Sequence, residues 1–324
     1  MKASGILSSL LLLAELKRAV FVWGPPGVGK SDVVRQFAKQ KNTQLKDIRV
    51  LLHDNVDFKG LPYLEQGQTK WAIPDFLPRD GEGILFLDEL NAAPALVQAA
   101  CYELILDRRL GDYRLPDGWV VLAAGNREVD RSVVTRMPTA LRNRFIHLDF
   151  EVDGTEWKKW AFENNIRFEV IAFLEFKPDL LHQFDRDANA FPSPRSWAFV
   201  SDILTGNPSK IIELELIAGA VGAAAATEFI AFLNTYRALP NIDAILLDPD
   251  SATLPSRPDE KYAVACALSH RATDTNIDRV CKYLNRMPAE FSVLCVTDAI
   301  RRTPTLQQAP AFTKWATKHN HLLN

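Results

Sequence analysis

The sequence predicts an α/β fold in which a parallel sheet lies between layers of helices, followed by an all-α lid domain and C-terminal helices. Two observations lead to this prediction. Short apolar segments alternate with amphipathic helical patterns over residues 5–150, as in parallel sheets that are covered on both faces. From Glu156 onward the pattern is helical and is interrupted by loops such as Phe191–Pro194. We therefore expect three parts, residues 1–150, 151–240 and 241–324.

Five segments are the predicted strands of this sheet. Each is a short apolar run of the length that buried strands have. They are Ala19–Trp23, Ile48–Leu52, Ile84–Leu87, Trp119–Ala124 and Phe145–Phe150. Between the lid domain and the C-terminal helices, the stretch Leu239–Asp259 is rich in Pro, Asp and Ser and predicts a boundary.

The composition is that of a globular protein, with 47% hydrophobic and 24% charged residues in a chain of 324. The formal net charge is −2. A chain without a basic excess cannot hold a phosphate backbone along its whole surface, which argues against a dedicated nucleic-acid binder. The four cysteines form no close pair, and the histidines show no ligand spacing with them, so neither a zinc site nor a disulfide framework is indicated.

Two apolar runs resemble an export signal and a membrane span. The run Ile6–Ala14 is followed at once by Glu15, Lys17 and Arg18, which favours a helix of the domain over an export signal. The run Ile217–Ala226 is too short to span a bilayer. With reduced thiols, these patterns predict a cytoplasmic protein without a membrane span.

A glycine-rich loop joins the first predicted strand to a helix. Its spacing of Gly24, four residues, Gly29, Lys30 and Ser31 is that of a phosphate-binding loop, in which glycines let successive N–H groups surround phosphate oxygens. Lys30 would reach the β- and γ-phosphates, and Ser31 would bind Mg²⁺. A glycine-rich turn before an ordinary helix is the alternative. The predicted nucleotide-binding residues are Gly24, Pro25, Pro26, Gly27, Val28, Gly29, Lys30, Ser31 and Asp32.

Polar residues follow the next two long strands. Asp88 and Glu89 come directly after a buried strand, at the sheet edge where ligands bind in open α/β folds. Asp88 would hold Mg²⁺ through water, and Glu89 would act as general base toward the attacking water. Asn126 ends the following strand, where its amide could contact the γ-phosphate and orient that water. The alternatives are a solvated Asp-Glu turn and a simple Gly-Asn turn.

The chain resembles the AAA+ ATPases of the P-loop NTPases, and within them the MoxR-like group of the helix-2-insert branch, over about residues 5–205. The motifs are GPPGVGKS at 24–31, ILFLDELN at 84–91, VLAAGN at 121–126, MPTALRNRF at 137–145 and SPRSW at 193–197. The resemblance implies that Asn126 is the first sensor, and that Arg195 is the second sensor on the lid. It also implies that Arg144 is the arginine finger given to the neighbouring subunit, with Arg142 as its rival. A solvated surface pair is the alternative for these two arginines.

Two turn-rich stretches match places where this branch carries β-hairpins. The first, residues 57–78, resembles the hairpin inserted into the second helix, which lines the pore of the ring. Tyr63 and Trp71 are its aromatic candidates for client contact, and packing against the body of the domain is the alternative. The second, Gly111–Gly118, precedes the sensor strand, and Arg108 and Arg109 beside it are expected to reach a neighbouring subunit.

The resemblance implies a homo-oligomeric ring, expected to be a hexamer, that hydrolyses ATP with Mg²⁺ and remodels a protein client. A partner with a von Willebrand factor A domain is the first expectation. The alternative is a nucleic-acid translocase or restriction-type motor, which needs a basic pore. Against that alternative, acidic residues balance the basic ones around the first hairpin, namely Lys59, Lys70 and Arg79 against Asp57, Glu65, Asp75 and Asp80. A scaffold that binds ATP without hydrolysing it is disfavoured by the intact Glu89 and Asn126.

Overall fold

A computed structural model describes residues 1–127, 130, 137–237, 239 and 241–319. Residue 240, at the predicted end of the lid domain, and residues 320–324 of the predicted C-terminal part lie outside the described residues. The chain divides into two compact units. The first consists of Met1–Asn165 and Leu180–Val200, and the second of Ile166–Asp179 and Ser201–Asn324. The division into three parts at residues 150 and 240 stays a prediction.

The first unit is built on a five-stranded parallel sheet with the order β2-β5-β8-β1-β9. The strands of the chain are β1 Val20–Trp23, β2 Gln44–Arg49, β3 Leu61–Glu65, β4 Gln68–Ala72, β5 Glu82–Asp88, β6 Arg109–Leu110, β7 Tyr113–Arg114, β8 Gly118–Gly125 and β9 Ile146–Asp149. Because β1, β5 and β8 are adjacent and parallel, their carboxyl ends meet at one edge. The predicted fold class is confirmed.

The second strand is the one whose predicted position is wrong. The apolar run Ile48–Leu52 predicts a strand, but β2 begins four residues earlier, and Val50–Leu52 forms a turn of 3₁₀ helix. β2 is an edge strand, and Ile48 is its single buried residue. A strand that buries so little has no hydrophobic pattern from which to predict its bounds.

Helices cover both faces of the sheet. The helices of this unit before residue 165 are α1 Ala3–Glu15, α2 Lys30–Lys41, α3 Asn55–Lys59, α4 Ala95–Leu106, α5 Thr139–Arg142 and α6 Gly154–Glu163. On one face, Ile6 and Leu10 of α1 and Phe37 of α2 pack with Val20 and Val22 of β1. Phe21, which alternates with those valines, points to the other face and packs with residues of α4 such as Val97. The N-terminal apolar run is therefore part of the core.

The predicted inserted hairpin is present as the antiparallel pair β3 and β4, which follows α3. Gln66 and Gly67 form its turn with φ of 52° and 76°, the left-handed conformation that tight two-residue hairpins need. Every residue of the two strands is exposed. Tyr63 is 46% and Trp71 40% exposed, so neither aromatic ring is buried against the body of the domain.

The second hairpin consists of β6 and β7, and it corrects one expectation. The Arg108 guanidinium donates hydrogen bonds to the carbonyl oxygens of Pro116 and Trp119, at 2.7 and 2.8 Å. Arg108 thus holds its own hairpin against the start of β8 and does not extend toward a neighbour. Arg109 is exposed, and its contact with a neighbouring subunit stays a prediction.

The remainder of the chain is helical. These helices are α7 Phe168–Phe176, α8 Pro194–Thr205, α9 Lys210–Val221, α10 Ala223–Arg237, α11 Ile242–Leu247, α12 Pro258–Arg271, α13 Ile277–Leu284, α14 Ala289–Arg302 and α15 Pro310–His319. The second unit has its own core, in which α12 packs with α14 through residues such as Leu268 and Val296. None of the described helices combines the length and the apolar character that crossing a membrane requires. Each of the four cysteines is buried and forms no disulfide.

Candidate nucleotide-binding site

The glycine-rich loop has the strand-to-helix setting that the sequence predicts. It begins after Trp23, the last residue of β1, and ends where α2 begins at Lys30. Gly27 and Gly29 have φ of 78° and 99°, a region that residues with a Cβ rarely adopt. A Cβ on Gly27 would also lie 2.8 Å from the Ser193 hydroxyl, so this position needs glycine for space as well. No side chain caps the first turn of α2, and its N–H groups face the loop as in anion-binding helix starts.

The Lys30 ammonium connects the loop to the neighbouring strand. Its Nζ donates to the carbonyl oxygens of Gly24 and Pro25 at 2.8 and 3.0 Å, and to Oδ1 of Asn126 at 2.9 Å. Burial lowers the Lys30 pKa to about 8, although the negative charge of Asp88 opposes this shift. The structure therefore brings together Lys30 and Asn126, two residues that lie far apart in the sequence. Phosphate oxygens placed here could replace the loop carbonyls as hydrogen-bond acceptors.

Ser31 and Asp88 form a second link across the site. The Ser31 hydroxyl donates to Oδ2 of Asp88 at 2.7 Å, and the other carboxylate oxygen accepts from the N–H of Glu89 at 3.0 Å. A hydroxyl and a carboxylate are oxygen ligands that suit Mg²⁺, which usually keeps several waters and binds phosphates through one or two protein groups. Among the described residues, no group of three or more His, Cys, Asp or Glu is arranged to hold a metal by itself. The donor set thus fits an ion shared with phosphates.

Glu89 has an unusual backbone conformation. Its φ of 57° is left-handed, although it has a side chain, and a 3₁₀ turn over Leu90–Ala92 follows it. Such a conformation costs on the order of 1 to 3 kcal/mol and is found most often at functional sites. Glu89 is half-buried and lies beside Asp88 at the carboxyl end of β5.

Asn91 is a buried residue of the site for which sequence reasoning gives no role. Its side-chain amide donates to the Asn126 carbonyl oxygen at 2.7 Å, and only 2% of its surface is exposed. The Asn91 side chain also lies against Gly125, where a Cβ would be 1.9 Å from Oδ1 of Asn91. Asn91 therefore fixes the end of β8 and with it the backbone of Asn126. In the sequence, an amide residue two positions after the Asp88-Glu89 pair is the feature that could have indicated that Asn91 belongs to the site.

Three more polar residues lie near the loop, and the sequence gives no pattern for them. Arg127 forms an ion pair with Asp130, whose carboxylate accepts from both its backbone and its guanidinium at 3.1 Å. His182 Nε2 donates to the carbonyl oxygen of Pro26 at 3.3 Å. Burial lowers the His182 pKa, while that hydrogen bond and the charge of Asp130 act in the opposite direction. Residues 128, 129 and 131–136 lie outside the described part of this segment.

The two arginines proposed as fingers differ in their surroundings. Arg142 ends α5, is half-buried and contacts the Thr139 hydroxyl at 3.4 Å. Arg144 lies between α5 and β9 and is exposed, and its guanidinium makes no hydrogen bond or ion pair with the described residues. The structure therefore places Arg144 where its side chain could extend away from this chain. The choice between the two stays a prediction.

The backbone of Arg195 contacts the phosphate loop. Its N–H donates to the Gly27 carbonyl oxygen at 3.2 Å, and its side chain is exposed near the start of α8. Ser193 caps this helix, because its hydroxyl accepts from the N–H of Ser196 at 3.1 Å. The guanidinium of Arg195 and the ammonium of Lys30 are near enough for their charges to interact.

A comparison with known families agrees with this geometry. Residues 19–145 match the family profile of the AAA domain, dynein-related subfamily. The predicted AAA+ resemblance is confirmed at this level, and the MoxR-like assignment stays a prediction. No curated protein sequence matches the chain.

Solved structures with a related fold are only distantly similar to this chain. NtrX from Brucella abortus in complex with ADP is 14% identical with a TM-score of 0.45, covering 99% of this chain and 68% of its own. The Thermotoga maritima RuvB Holliday junction branch migration motor is 17% identical with a TM-score of 0.35, covering 82% and 80%. Because both TM-scores lie below 0.5, these likenesses carry no argument about function.

Proposed function

We propose that this chain is a Mg²⁺-dependent ATP hydrolase of the MoxR-like type that works in the cytoplasm as an oligomeric ring. The observation that carries the proposal is one pair of contacts at the sheet edge. Lys30 lies 2.9 Å from the Asn126 side chain, and Ser31 lies 2.7 Å from the Asp88 carboxylate. A phosphate group and its metal ion need these four residue types within reach of one point.

Each residue of this edge has a distinct task in the proposed reaction. Lys30 and the N–H groups at the start of α2 bind the phosphates of ATP. Glu89 accepts a proton from the attacking water, and Asn126 orients that water. Ser31 and Asp88 hold Mg²⁺, which neutralises charge on the phosphate oxygens when it is bound. Arg195, on the helix that contacts Gly27, senses the γ-phosphate from the lid.

The proposed site is completed by a second subunit. Charge develops on the phosphoryl oxygens during transfer, and an arginine finger that neutralises it is worth about 10³- to 10⁵-fold in rate. The exposed Arg144 supplies this cation to the neighbouring site, with Arg142 as the alternative donor. This division requires more than one subunit, and the MoxR-like resemblance favours a homo-oligomeric ring that is expected to be a hexamer.

A protein client is the substrate that the exposed hairpin favours. Leu61, Tyr63, Leu64 and Trp71 are exposed on β3 and β4. The only charged side chains of the two strands, Glu65 and Lys70, form an ion pair with each other. A neutral apolar hairpin suits contact with apolar protein surfaces, whereas a nucleic-acid motor needs unpaired cations. A client carried by a von Willebrand factor A domain partner fits the MoxR-like proposal.

Phosphate release from Mg²⁺-ATP tests the enzymatic part of this proposal. We expect Lys30→Ala to lose tight ATP binding, and Glu89→Gln to bind ATP but to hydrolyse it at least about 10²-fold more slowly. Glu82→Gln is the matched control, because Glu82 is an exposed carboxylate at the opposite end of the same strand. Glu82→Gln should hydrolyse ATP at the parent rate, and if Glu89→Gln does so as well, the assignment of the base is wrong.

Nucleic acids provide the test of the client class. Single- and double-stranded DNA and RNA should change the hydrolysis rate less than about twofold at 0.15 M salt, where unspecific phosphate contacts are weak. Strong and saturable stimulation would instead favour the motor.

A further inference from the structure

A chain of two hydrogen bonds joins the strand before the phosphate loop to the turn that bears the two arginines. The indole Nε1 of Trp23 donates to Nδ1 of His147 at 2.8 Å. The other ring nitrogen of His147, Nε2, lies 2.8 Å from the backbone carbonyl oxygen of Arg142. An indole N–H can only donate, so Nδ1 must accept, and the proton of the neutral ring lies on Nε2. His147 therefore donates to Arg142.

These two hydrogen bonds connect the strand before the phosphate loop with the segment that carries the candidate arginine fingers. Trp23 is the last residue of β1, and Gly24 begins the loop directly after it. His147 lies on β9, which pairs in parallel with β1, and its register partner is Phe21. Arg142 ends α5, two residues before Arg144. One side chain thus contacts both the nucleotide strand and the arginine turn, defined here as residues 142–144.

Aromatic packing holds the imidazole of His147 in place. The Trp23 and Phe21 rings are stacked with centroids 4.1 Å apart, and the Trp23 ring lies nearly parallel to the imidazole with centroids 5.9 Å apart. Phe145 contacts Phe21 edge to face at 5.4 Å. The ring of His147 consequently keeps an orientation in which both nitrogens meet their partners.

The arginine turn has little local structure to fix it. The helix α5 has four residues, a single turn, which is not stable by itself in water. Its last carbonyls have no partners within the helix, and that of Arg142 accepts from the N–H of Phe145 at 3.2 Å as well as from His147. Within the part of the chain that the structure describes, His147 is the side chain that bonds to this carbonyl.

We propose that His147 is a positioning residue for the arginine finger, and that Trp23 makes this possible by selecting the tautomer that donates to Arg142. The inference rests on the proposed function, since it requires an arginine that acts on a neighbouring ATP. Both ring nitrogens of His147 are bonded within this chain, so it acts through the backbone of the arginine turn. Trp23 acts only through His147.

Two amide variants separate the two hydrogen bonds of His147. In His147→Gln the side-chain amide reaches the position of Nε2 and can still donate to the Arg142 carbonyl. In His147→Asn the shorter amide reaches only the position of Nδ1, so the donor to Arg142 is lost. We expect kcat for ATP to fall about tenfold or more in His147→Asn with KM nearly unchanged, and to stay within about threefold in His147→Gln, because small misplacements of catalytic groups are costly. Equal kcat values in the two variants would overturn the proposal.

Mixed rings identify the side of the subunit interface that is damaged. His147→Asn subunits keep their own ATP site, so mixing with Glu89→Gln, which keeps a well-placed finger, should restore activity. Mixing with Arg144→Ala should not restore it, because no interface then has a well-placed arginine. If His147→Asn had damaged its own ATP site instead, the pattern would be the reverse, and that result would contradict the inference.

Two controls keep this experiment decisive. Glu89→Gln mixed with Arg144→Ala must recover activity; if it does not, the shared site of the proposed function fails first, and this inference fails with it.

Should His147→Asn fail to fold, as judged by thermal unfolding, Trp23→Phe takes its place and should give the same pattern of recovery more weakly. In the double variant Trp23→Phe with His147→Gln, the effect of the Trp23 change should disappear. A persisting effect would show that Trp23 acts by another route.

Discussion

The hydroxyl group of Ser31 donates a hydrogen bond to the Asp88 carboxylate at 2.7 Å, although 57 positions separate the two residues in the chain. The contact joins the first turn of α2 to the end of β5. We expect Ser31→Ala to lose the increase in ATP affinity that Mg²⁺ produces, by about tenfold or more, while binding in EDTA stays unchanged. Ser31→Thr keeps a hydroxyl and should retain the Mg²⁺ effect. Equilibrium binding with and without Mg²⁺ measures both, and an unaltered Mg²⁺ effect in Ser31→Ala would exclude this serine as a ligand.

Asn126 accepts a hydrogen bond from the Lys30 ammonium, and two substitutions distinguish its roles. We expect Asn126→Ala to bind ATP within about threefold of the parent but to hydrolyse it about 10²-fold more slowly, since one preorganised group is lost. Asn126→Asp places a carboxylate against Lys30, which competes with phosphate for the ammonium, so ATP binding should weaken as well. Nucleotide binding and phosphate release check both variants. Tighter ATP binding by the Asp variant than by the Ala variant would contradict the role of Lys30.

The contact between Gly125 and Asn91 leads to a prediction about stability. A Cβ at position 125 would lie 1.9 Å from Oδ1 of Asn91 and 2.9 Å from the Phe21 ring, so Gly125→Ala should lower the free energy of unfolding by about 1 to 3 kcal/mol. The double variant with Asn91→Ala should lose less than the sum of the two single changes. Gly219→Ala is the control, because a Cβ there meets nothing within 4 Å and alanine favours a helix. Urea unfolding measures the four variants and the parent, and strict additivity would show that the two positions are independent.

His182 should make the stability of the protein depend on pH. Burial lowers its pKa in the folded state, so at acidic pH the unfolded chain binds more protons and stability is lost as pH falls below about 6.5. In His182→Gln a neutral amide can still donate to Pro26, and the decrease in unfolding free energy between pH 7.5 and 5.5 should be smaller. Burial also lowers the pKa of His270, so His270→Gln should act in the same direction and the two effects should add. An unchanged pH dependence in His182→Gln would contradict the prediction.

The choice between Arg144 and Arg142 can be made by mixing inactive variants. Arg144→Ala should bind ATP normally and lose at least about 10³-fold in hydrolysis, because the cation that stabilises the transferring phosphoryl group is missing. Mixing it with Glu89→Gln should recover part of the activity, since some interfaces then contain both intact residues. Arg142→Ala serves as the comparison and should retain most of its activity. A fully active parent that remains monomeric at all concentrations would exclude a shared site.

Much of the fold could be predicted because its strands are buried and apolar. The bounds of β1, β5, β8 and β9 lie within two residues of the predicted ones, since each buries most of its length or lies beside a motif. The edge strand β2 was misplaced because it buries only Ile48. The glycine loop and the Asp88-Glu89 pair were predictable because each motif is local in sequence and follows a strand.

The unpredicted part of the site consists of contacts made by distant segments. Asn91 bonds to the backbone of Asn126, and His182 bonds to that of Pro26, 156 positions away. Neither contact leaves a periodic pattern, because each depends on how the chain returns to the loop. Arg127 and Asp130 lie three positions apart, but their pairing is one of several that a polar loop allows.

The burial of all four cysteines has a practical consequence for biophysical work on this protein. Burial raises the pKa of the Cys101 thiol to about 12 and that of Cys281 to about 11, and a thiol reacts with maleimides as its thiolate. A new cysteine on the exposed hairpin, such as Thr69→Cys, would therefore be labelled selectively without removal of any native thiol. A fluorophore attached there would show whether the hairpin contacts the proposed client, because Thr69 is exposed.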